Sequence, residues 1–338
     1  MNKVLSVCVP SYNMEEYLNR CIDSFIVPEV LDRLELIIVN DGSTDGTLSI
    51  ANEYKEKYPQ SILVINKPNG HYGSCVNASL KVATGKYFRI VDADDWVDSE
   101  ALVEFVEKIE KIDVDCVCTR YTTHNIPGNT LVVKEIDVNG FGEIQSLNNV
   151  NYPTQNLNMH SLTYKLEFLR EINYVQTEGI CYTDTEYVYY PLIAAQTIYF
   201  MDLSLYQYFL GREEQSVSAI SYKKNMTHLL LLSEKLIASF DKTPKTNINF
   251  VPIRNAYLRL FGCFLCELYL LHHSYEKDLD CRIRNVITAI KHIAPQVYNV
   301  IEKLNVRGFK YVKLWMDAKP LAFVCLPLLR FLINLKKE

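Results

Sequence analysis

The sequence predicts an α/β protein, a parallel, doubly wound (Rossmann-like) sheet followed by a helical module. Through the first hundred or so residues, apolar strand-like runs alternate with helical periodicity, and the runs end in Gly, Ser, Asn and Asp. Beyond about Tyr222 long amphipathic patterns take over, and only Gly262 and Gly308 remain as glycines. Alternating strands and helices build a parallel sheet whose ligands bind outside the carboxyl ends of the strands.

Residues 4–9 form the first strand and run into Pro10-Ser11-Tyr12-Asn13. Asn13 followed by Glu16 has the form of a capping box. Tyr17, Leu18, Cys21, Ile22 and Phe25 then keep helical spacing. A second strand, residues 34–40, enters Asp41-Gly42-Ser43-Thr44-Asp45-Gly46-Thr47, rich in the residues that make tight turns and helix caps. The third strand, residues 62–66, leads into Lys67-Pro68-Asn69-Gly70-His71-Tyr72-Gly73. A helix over residues 74–84 follows, with Gly85 placed as its left-handed cap. The fourth strand, residues 87–91, stops abruptly in Asp92-Ala93-Asp94-Asp95.

That acidic run is the most informative stretch of the chain. Carboxylates at the end of a buried strand are costly unless a cation or hydrogen-bond donors meet them. In an extended chain Asp92 and Asp94 fall on one face. Their hard oxygens suit Mg²⁺ or Mn²⁺, ions that complete their shells with water and substrate phosphates. A site for a metal-bound diphosphate and a solvated turn are both open on this evidence. Tyr12, Asp41, the loop from Lys67 and Asp92/Asp94 all stand at strand ends, so one crevice would collect them.

These pieces resemble family 2 inverting glycosyltransferases of the GT-A fold, bacterial in type. The resemblance runs through residues 6–13, residues 37–47, Asn77, Gly85-Lys86-Tyr87 and residues 92–95, in family order and spacing. A second block, residues 182–187, Leu205-Tyr206-Gln207-Tyr208, Gly211-Arg212 and residues 215–218, resembles the acceptor-side half of bacterial members. The resemblance implies transfer of a sugar from a nucleoside diphosphate sugar, a UDP-sugar above all, to a hydroxyl of a saccharide or lipid-linked acceptor. Cell-surface polysaccharide or glycoconjugate synthesis is the implied setting. It makes Asp184 the catalytic base and gives Asp94, with Asp92, to Mn²⁺ or Mg²⁺. Nucleotide-sugar binding falls to Pro10, Tyr12, Asp41, Lys67, Asp92, Ala93, Arg212 and Gln215. The family often has Glu-Asp where this chain has Thr183-Asp184, which bears on how the base is tuned. His71 and His160 could meet acceptor or phosphate, or could equally be surface or core histidines.

Composition bounds the rest. At 338 residues the chain exceeds a usual single domain, and we place a catalytic domain at 1–220 and a helical module at 221–338. A linker is expected near residues 241–245, and helices near 226–240, 253–272, 283–293 and 297–304. A formal net charge of −5 argues against nucleic acid as a partner. The ten cysteines, with no secretory signal at the start, read as reduced thiols of a cytoplasmic protein. Cys116-x-Cys118 lies in a strand pattern and Cys263-x-x-Cys266 in a helical one without a second pair at zinc spacing, so core packing explains the latter. Residues 321–335 are apolar, interrupted by Pro327 and Arg330 and flanked by Lys319 and Lys336-Lys337. They fall short of the roughly twenty residues a bilayer span needs. An interfacial helix on the inner face of the membrane and a helix packed on the module are both open, as is a homo-oligomer.

Two rival classes make other demands on the sequence. A sugar nucleotidyltransferase would show a Gly-rich phosphate loop with a basic residue near the amino terminus, where this chain has Pro10-Ser11-Tyr12-Asn13. A non-catalytic nucleotide-sugar-binding module would be expected to lose acidic residues, yet Asp92, Asp94 and Asp184 are all present. A processive membrane synthase is disfavoured because neither Trp96 nor Trp315 follows an arginine and long spanning segments are lacking.

Overall fold

The computed structural model describes residues 2–125, 128–136, 138, 140–147, 157–211, 219–240, 250–272, 275–305, 308 and 310–317. The chain divides into two compact units, Met1–Glu213 and Glu214–Glu338.

In the first unit the strands are β1 (Leu5–Ser11), β2 (Leu34–Asp41), β3 (Ile62–Lys67), β4 (Tyr87–Ile90), β5 (Trp96–Val97), β6 (Cys116–Asn125), β7 (Thr130–Lys134), β8 (Ile144–Ser146), β9 (Leu162–Lys165) and β10 (Thr197–Leu210). The helices are α1 (Leu18–Asp23), α2 (Thr47–Lys57), α3 (His71–Val82), α4 (Ser99–Lys111), α5 (Leu166–Glu171) and α6 (Asp184–Ala194). One sheet takes the order β3-β2-β1-β4-β9-β6-β10-β5, with β7 on β6 and β8 on β10. Val7, Val9, Leu36 and Ile38 are fully buried in its core. Helix α4 shows why the elements form where they do. Asp98 caps it by accepting the Ala101 amide at 2.9 Å, and Leu102, Phe105, Val106 and Ile109 supply its buried stripe.

The expected parallel sheet holds from β3 to β4 and is mixed beyond. β9 runs antiparallel to both β4 and β6, while β10 runs parallel to β6 and antiparallel to β5 and β8. The cause is the direction of entry. β9 follows a 3₁₀ turn, Met159–Ser161, at the carboxyl edge of β4, so it runs back down the sheet instead of crossing over to start at the far edge.

Two local expectations are corrected. The Asn13–Glu16 capping box does not form, because α1 begins only at Leu18. Asn13 adopts a φ of 53°, which asparagine tolerates, and its side-chain oxygen accepts the Thr44 amide at 2.9 Å. The turn after β2 thus takes the oxygen that would have capped the helix. Gly85 is not a left-handed cap either, since α3 ends at Val82 with Ala83 as its cap. Glycine is needed there for proximity: a Cβ at 85 would stand 2.5 Å from the Ser6 amide nitrogen.

The second unit is helical, with α7 (Ala219–Lys224), α8 (Met226–Phe240), α9 (Phe250–Glu267) continuing into a π turn at Leu268–His272, α10 (Lys277–Ile293), α11 (Pro295–Glu302) and α12 (Tyr311–Asp317). Leu230, Leu265, Ile283, Ile287, Ile301 and Val312 are fully buried. A buried ion pair ties α10 to α12: Arg284 Nε donates to Asp280 Oδ2 at 2.7 Å, and Trp315 Nε1 and Tyr269 Oη donate to Asp280 Oδ1 at 2.8 and 3.0 Å. Cys266 packs in the core of this unit, and none of the described cysteines forms a disulfide. No described helix is long and apolar enough to cross a membrane. The 321–335 segment and the linker near 241–245 lie outside the described residues.

The Gly85 contact yields a stability test. Gly85→Ala must push backbone against backbone between the start of β4 and β1, an overpacking cost of about 1–3 kcal/mol. Chemical denaturation should show a lower midpoint; an unchanged midpoint would mean that the two strands separate freely at this point.

Candidate active site

Parallel pairing brings the ends of β1 to β4 to one edge of the sheet. Asp41 and Lys67 end β2 and β3 and are partners in register. Asp41 is almost fully buried, and its Oδ1 accepts both the Lys67 ammonium and the Gly70 amide, the latter at 3.0 Å. Lys67 also donates to Ser74 Oγ at 2.7 Å and to the Pro68 carbonyl at 2.8 Å, so its head is fixed. Tyr12, just past β1, is 47% exposed and stands at the same edge, and Pro10 is half-buried in β1.

The acidic run is a turn closed by the Asp95 amide on the Asp92 carbonyl at 3.0 Å. Asp92 and Asp94 are therefore not on one face of an extended strand, because β4 ends at Ile90. Each acid meets a different neighbour. The Tyr72 hydroxyl donates to Asp92 Oδ1 at 2.8 Å. Asp95 is buried, accepting the Tyr206 hydroxyl at 2.5 Å and the Phe209 amide at 2.7 Å, and burial together with the charges of Asp94 and Asp92 pushes its carboxyl well up. The Asp94 carbonyl accepts Arg20 Nη2 at 2.6 Å, with the guanidinium lying over the rings of Trp96 and Phe209 at 4.0 and 4.4 Å. Ala93 is buried inside the turn.

His160 enters from the 3₁₀ turn before β9. Its ring stacks on Tyr208 with centroids 4.2 Å apart, and a ring nitrogen lies with carboxylate oxygens of Asp92 and Asp95 in a group spanning no more than 4.8 Å. Burial, with help from the positive charge of Arg89, lowers its pKa to about 3, so the imidazole is neutral at neutral pH.

Asp184 reaches this edge from far along the chain as the first residue of α6. The segment before it lies across α3: Asn77 Oδ1 accepts the Gln176 amide at 2.9 Å, and Asn77 Nδ2 donates to the Gln176 carbonyl and to Glu178. Gly73 permits the close approach, since a Cβ there would overlap the Thr177 carbonyl oxygen. Glu186 is structural, accepting the amide and hydroxyl of Thr177 at 2.7 and 2.8 Å. Burial raises the Asp184 carboxyl to about 6, against the pull of the Thr185 amide and its own. Tyr72 and Tyr208 are each raised by burial and by the charges of both Asp92 and Asp184. The two carboxylates thus share one cleft although ninety-odd residues separate them.

The structure brings together Pro10, Tyr12, Asp41, Lys67, Asp92, Ala93, Asp94 and Asp184; Arg212 and Gln215 lie outside the described residues. Sequence reasoning did not find Arg20, Tyr72 or Tyr206 as parts of the site, picked out Asp95 with the acidic run without giving it a role, and left His160 undecided. No local signal marks Arg20, Tyr72 or Tyr206, because each acts on the turn from a distant element.

Residues 6–171 match the description Glycosyl transferase family 2. Among curated proteins, an uncharacterized glycosyltransferase, EpsJ of Bacillus subtilis, is 33% identical over 139 residues, 41% of this chain and 40% of EpsJ. Among solved structures, S. aureus TarS 1-349 superposes with a TM-score of 0.64 at 19% identity, covering 95% of this chain and 89% of that one. The mannosyltransferase PcManGT of Pyrobaculum calidifontis gives 0.56 at 15% identity, covering 98% and 88%. The match to glycosyl transferase family 2 thus spans residues 6–171, just under half of the chain, and the fold is the GT-A type with a helical carboxyl-terminal part. It covers between 13% and 40% of the length of the curated relatives it matches.

Proposed function

We propose that this protein is an inverting glycosyltransferase that moves a sugar from a nucleoside diphosphate sugar, of the UDP class, to an acceptor hydroxyl in cell-surface polysaccharide or glycoconjugate synthesis. The observation that carries this is that the acidic turn and Asp184, whose carboxyl burial raises to about 6, both bear on Tyr72 at this edge of the sheet. TarS has been solved with UDP and with UDP-GlcNAc, and PcManGT with GDP-Man and Mn²⁺, which supports a nucleotide-sugar donor.

Tyr12 offers an exposed ring on which a nucleobase can stack, beside Asp41, whose carboxylate is fixed by Lys67 and Gly70 to accept from the base edge. The donor set fits a divalent cation, Mn²⁺ or Mg²⁺. Carboxylate oxygens of Asp92 and Asp95 meet an imidazole whose buried Nδ1 lacks a hydrogen-bond partner among the described residues, and Asp94 flanks them in the same turn. A bound cation supplies positive charge beside the leaving diphosphate. Asp184 takes the proton of the acceptor hydroxyl as that oxygen attacks the anomeric carbon opposite the leaving group, so the configuration inverts. Burial makes Asp184 a stronger base than an exposed aspartate while leaving it ionised near neutral pH.

Asp184→Asn should cut turnover by roughly 10²–10⁴-fold with donor affinity nearly constant, because its work is on the acceptor. Since the ionised form is the active one, turnover at saturating donor should rise with pH through about 6 and then level. A profile flat from about pH 5 to 8, or a product of retained configuration by NMR, would overturn the role.

Asp94→Asn should abolish transfer without unfolding the chain, since an amide lacks the charge that holds a cation. Chelator should mimic it and Mn²⁺ should restore wild type; full activity in excess EDTA would remove the metal from the scheme.

For the nucleotide, Asp41→Ala should weaken UDP binding by about 1–3 kcal/mol by calorimetry. Equal affinities would reduce Asp41 to a partner of Lys67 and Gly70.

A further inference from the structure

We infer that His160 is a nitrogen ligand of the cation site, with Asp92 and Asp95 as its oxygen partners, and that buried Arg89 is the residue that positions it. This rests on the metal-assisted reading above.

The argument begins with strand direction. Because β9 is antiparallel to β4, with Phe88 opposite Tyr164, the turn that precedes β9 lies beside the carboxyl end of β4, where Asp92 stands. The fold therefore delivers the 159–161 backbone to the acidic turn. Arg89 then fixes it. Its side chain points away from solvent entirely, Nη1 donating to Thr163 Oγ1 at 2.8 Å and Nη2 to the His160 carbonyl. Among the described residues no carboxylate pairs with this guanidinium, and its nearest ring neighbours are Tyr206 and Phe105 at 5.7 and 5.9 Å. A buried cation without a counter-charge is retained at a cost, and here its two bonds both go to the segment that carries His160.

The imidazole is held from several sides. Tyr208 stacks on it at 4.2 Å, Tyr206 meets it edge-on at 4.7 Å, and Tyr121, itself held by Asn158 Nδ2 at 2.8 Å, tilts against it at 5.2 Å. In that enclosure Nδ1 is buried and has no hydrogen-bond partner among the described residues. One buried nitrogen of the ring thus stands unsatisfied by those residues, and a ring nitrogen is grouped with two carboxylates, an arrangement that suits a cation between them. The three donor atoms lie within 4.8 Å of one another, a spread that ligand bonds of about 2.1 Å each can bridge after small side-chain shifts. Imidazole suits transition metals, whereas Mg²⁺ favours oxygen alone. A nitrogen in the set thus predicts a preference for Mn²⁺ over Mg²⁺ that an all-carboxylate site would lack.

The test uses the full chain with Mn²⁺ and UDP as probes. Pulsed EPR of the wild-type complex should show a ¹⁴N nucleus coupled directly to Mn²⁺. His160→Gln should lose that coupling while circular dichroism stays unchanged, and should bind Mn²⁺ about 10–100-fold more weakly with Mg²⁺ binding little altered. Arg89→Lys, which can keep only part of the two-bond contact, should weaken the nitrogen coupling with His160 intact. Mn²⁺ bound to wild type through oxygen alone would overturn the inference, and that measurement depends on no variant folding. It would leave the transferase reading standing, since Asp184→Asn and the stereochemistry of the product test that separately.

Discussion

Three carboxylates within four residues at the end of a buried strand impose the constraint that the surrounding structure answers. Ionised acids so close repel one another and lose solvation, and each must find compensation. The chain divides the task. Asp95 turns inward to Tyr206 and the Phe209 amide, Asp92 takes the Tyr72 hydroxyl, and Arg20 lays its charge on the Asp94 carbonyl from behind. These partners come from α1, α3 and β10, so packing of the whole first unit converges on the geometry of one turn. A turn braced in this way is preorganised: its oxygens do not have to be gathered when a charged ligand arrives.

The second demand is to bring Asp184, the proposed base, to the same edge of the sheet, and it is met by backbone recognition. Asn77 binds the main chain of Gln176 as both acceptor and donor, and Gly73 lets that main chain lie against α3. Glu186 then closes the loop on Thr177. A side-chain amide inside a helix that caps a remote segment has the same logic as a helix cap, applied across a long stretch of sequence. It explains why Asn77 belongs to a motif although it stands away from the chemistry.

What the sequence made legible was local. The first four strands, their parallel order and the residues at their carboxyl ends follow from alternation and turn chemistry, because each βα unit carries its own signals. The mixed half of the sheet was hidden, since nothing in residues 162–165 says which neighbours that strand will find. β10 was not read as a strand, and its pairing with β6 shifts register between Met201 and Tyr206. The Asn13 box failed for a related reason: a good local cap lost its oxygen to a turn thirty-one residues away. Gly85 shows a true signal with the wrong cause, a glycine kept for a close approach to β1 and not for its backbone angle. In the site, acids at strand ends could be read, while Arg20, Tyr72 and Tyr206 could not, because they approach from other elements.

Thr183 shows how the departure from the usual pattern of relatives bears on the base. Its side chain is fully buried and its hydroxyl has no partner among the described residues, while its carbonyl accepts Gln176 Nε2 at 3.1 Å. A glutamate in that position would either bury a second charge beside Asp184 or force the loop outward. With threonine, the rise of the Asp184 carboxyl comes first from burial, and the like charge of Glu186 contributes last, its oxygens already committed to Thr177. Each added like charge raises a carboxyl further and would hold more of it protonated near neutral pH. Threonine in place of an acid therefore keeps Asp184 mostly ionised near neutral pH yet more basic than an aspartate in water, the balance that the proposed proton abstraction from a hydroxyl requires.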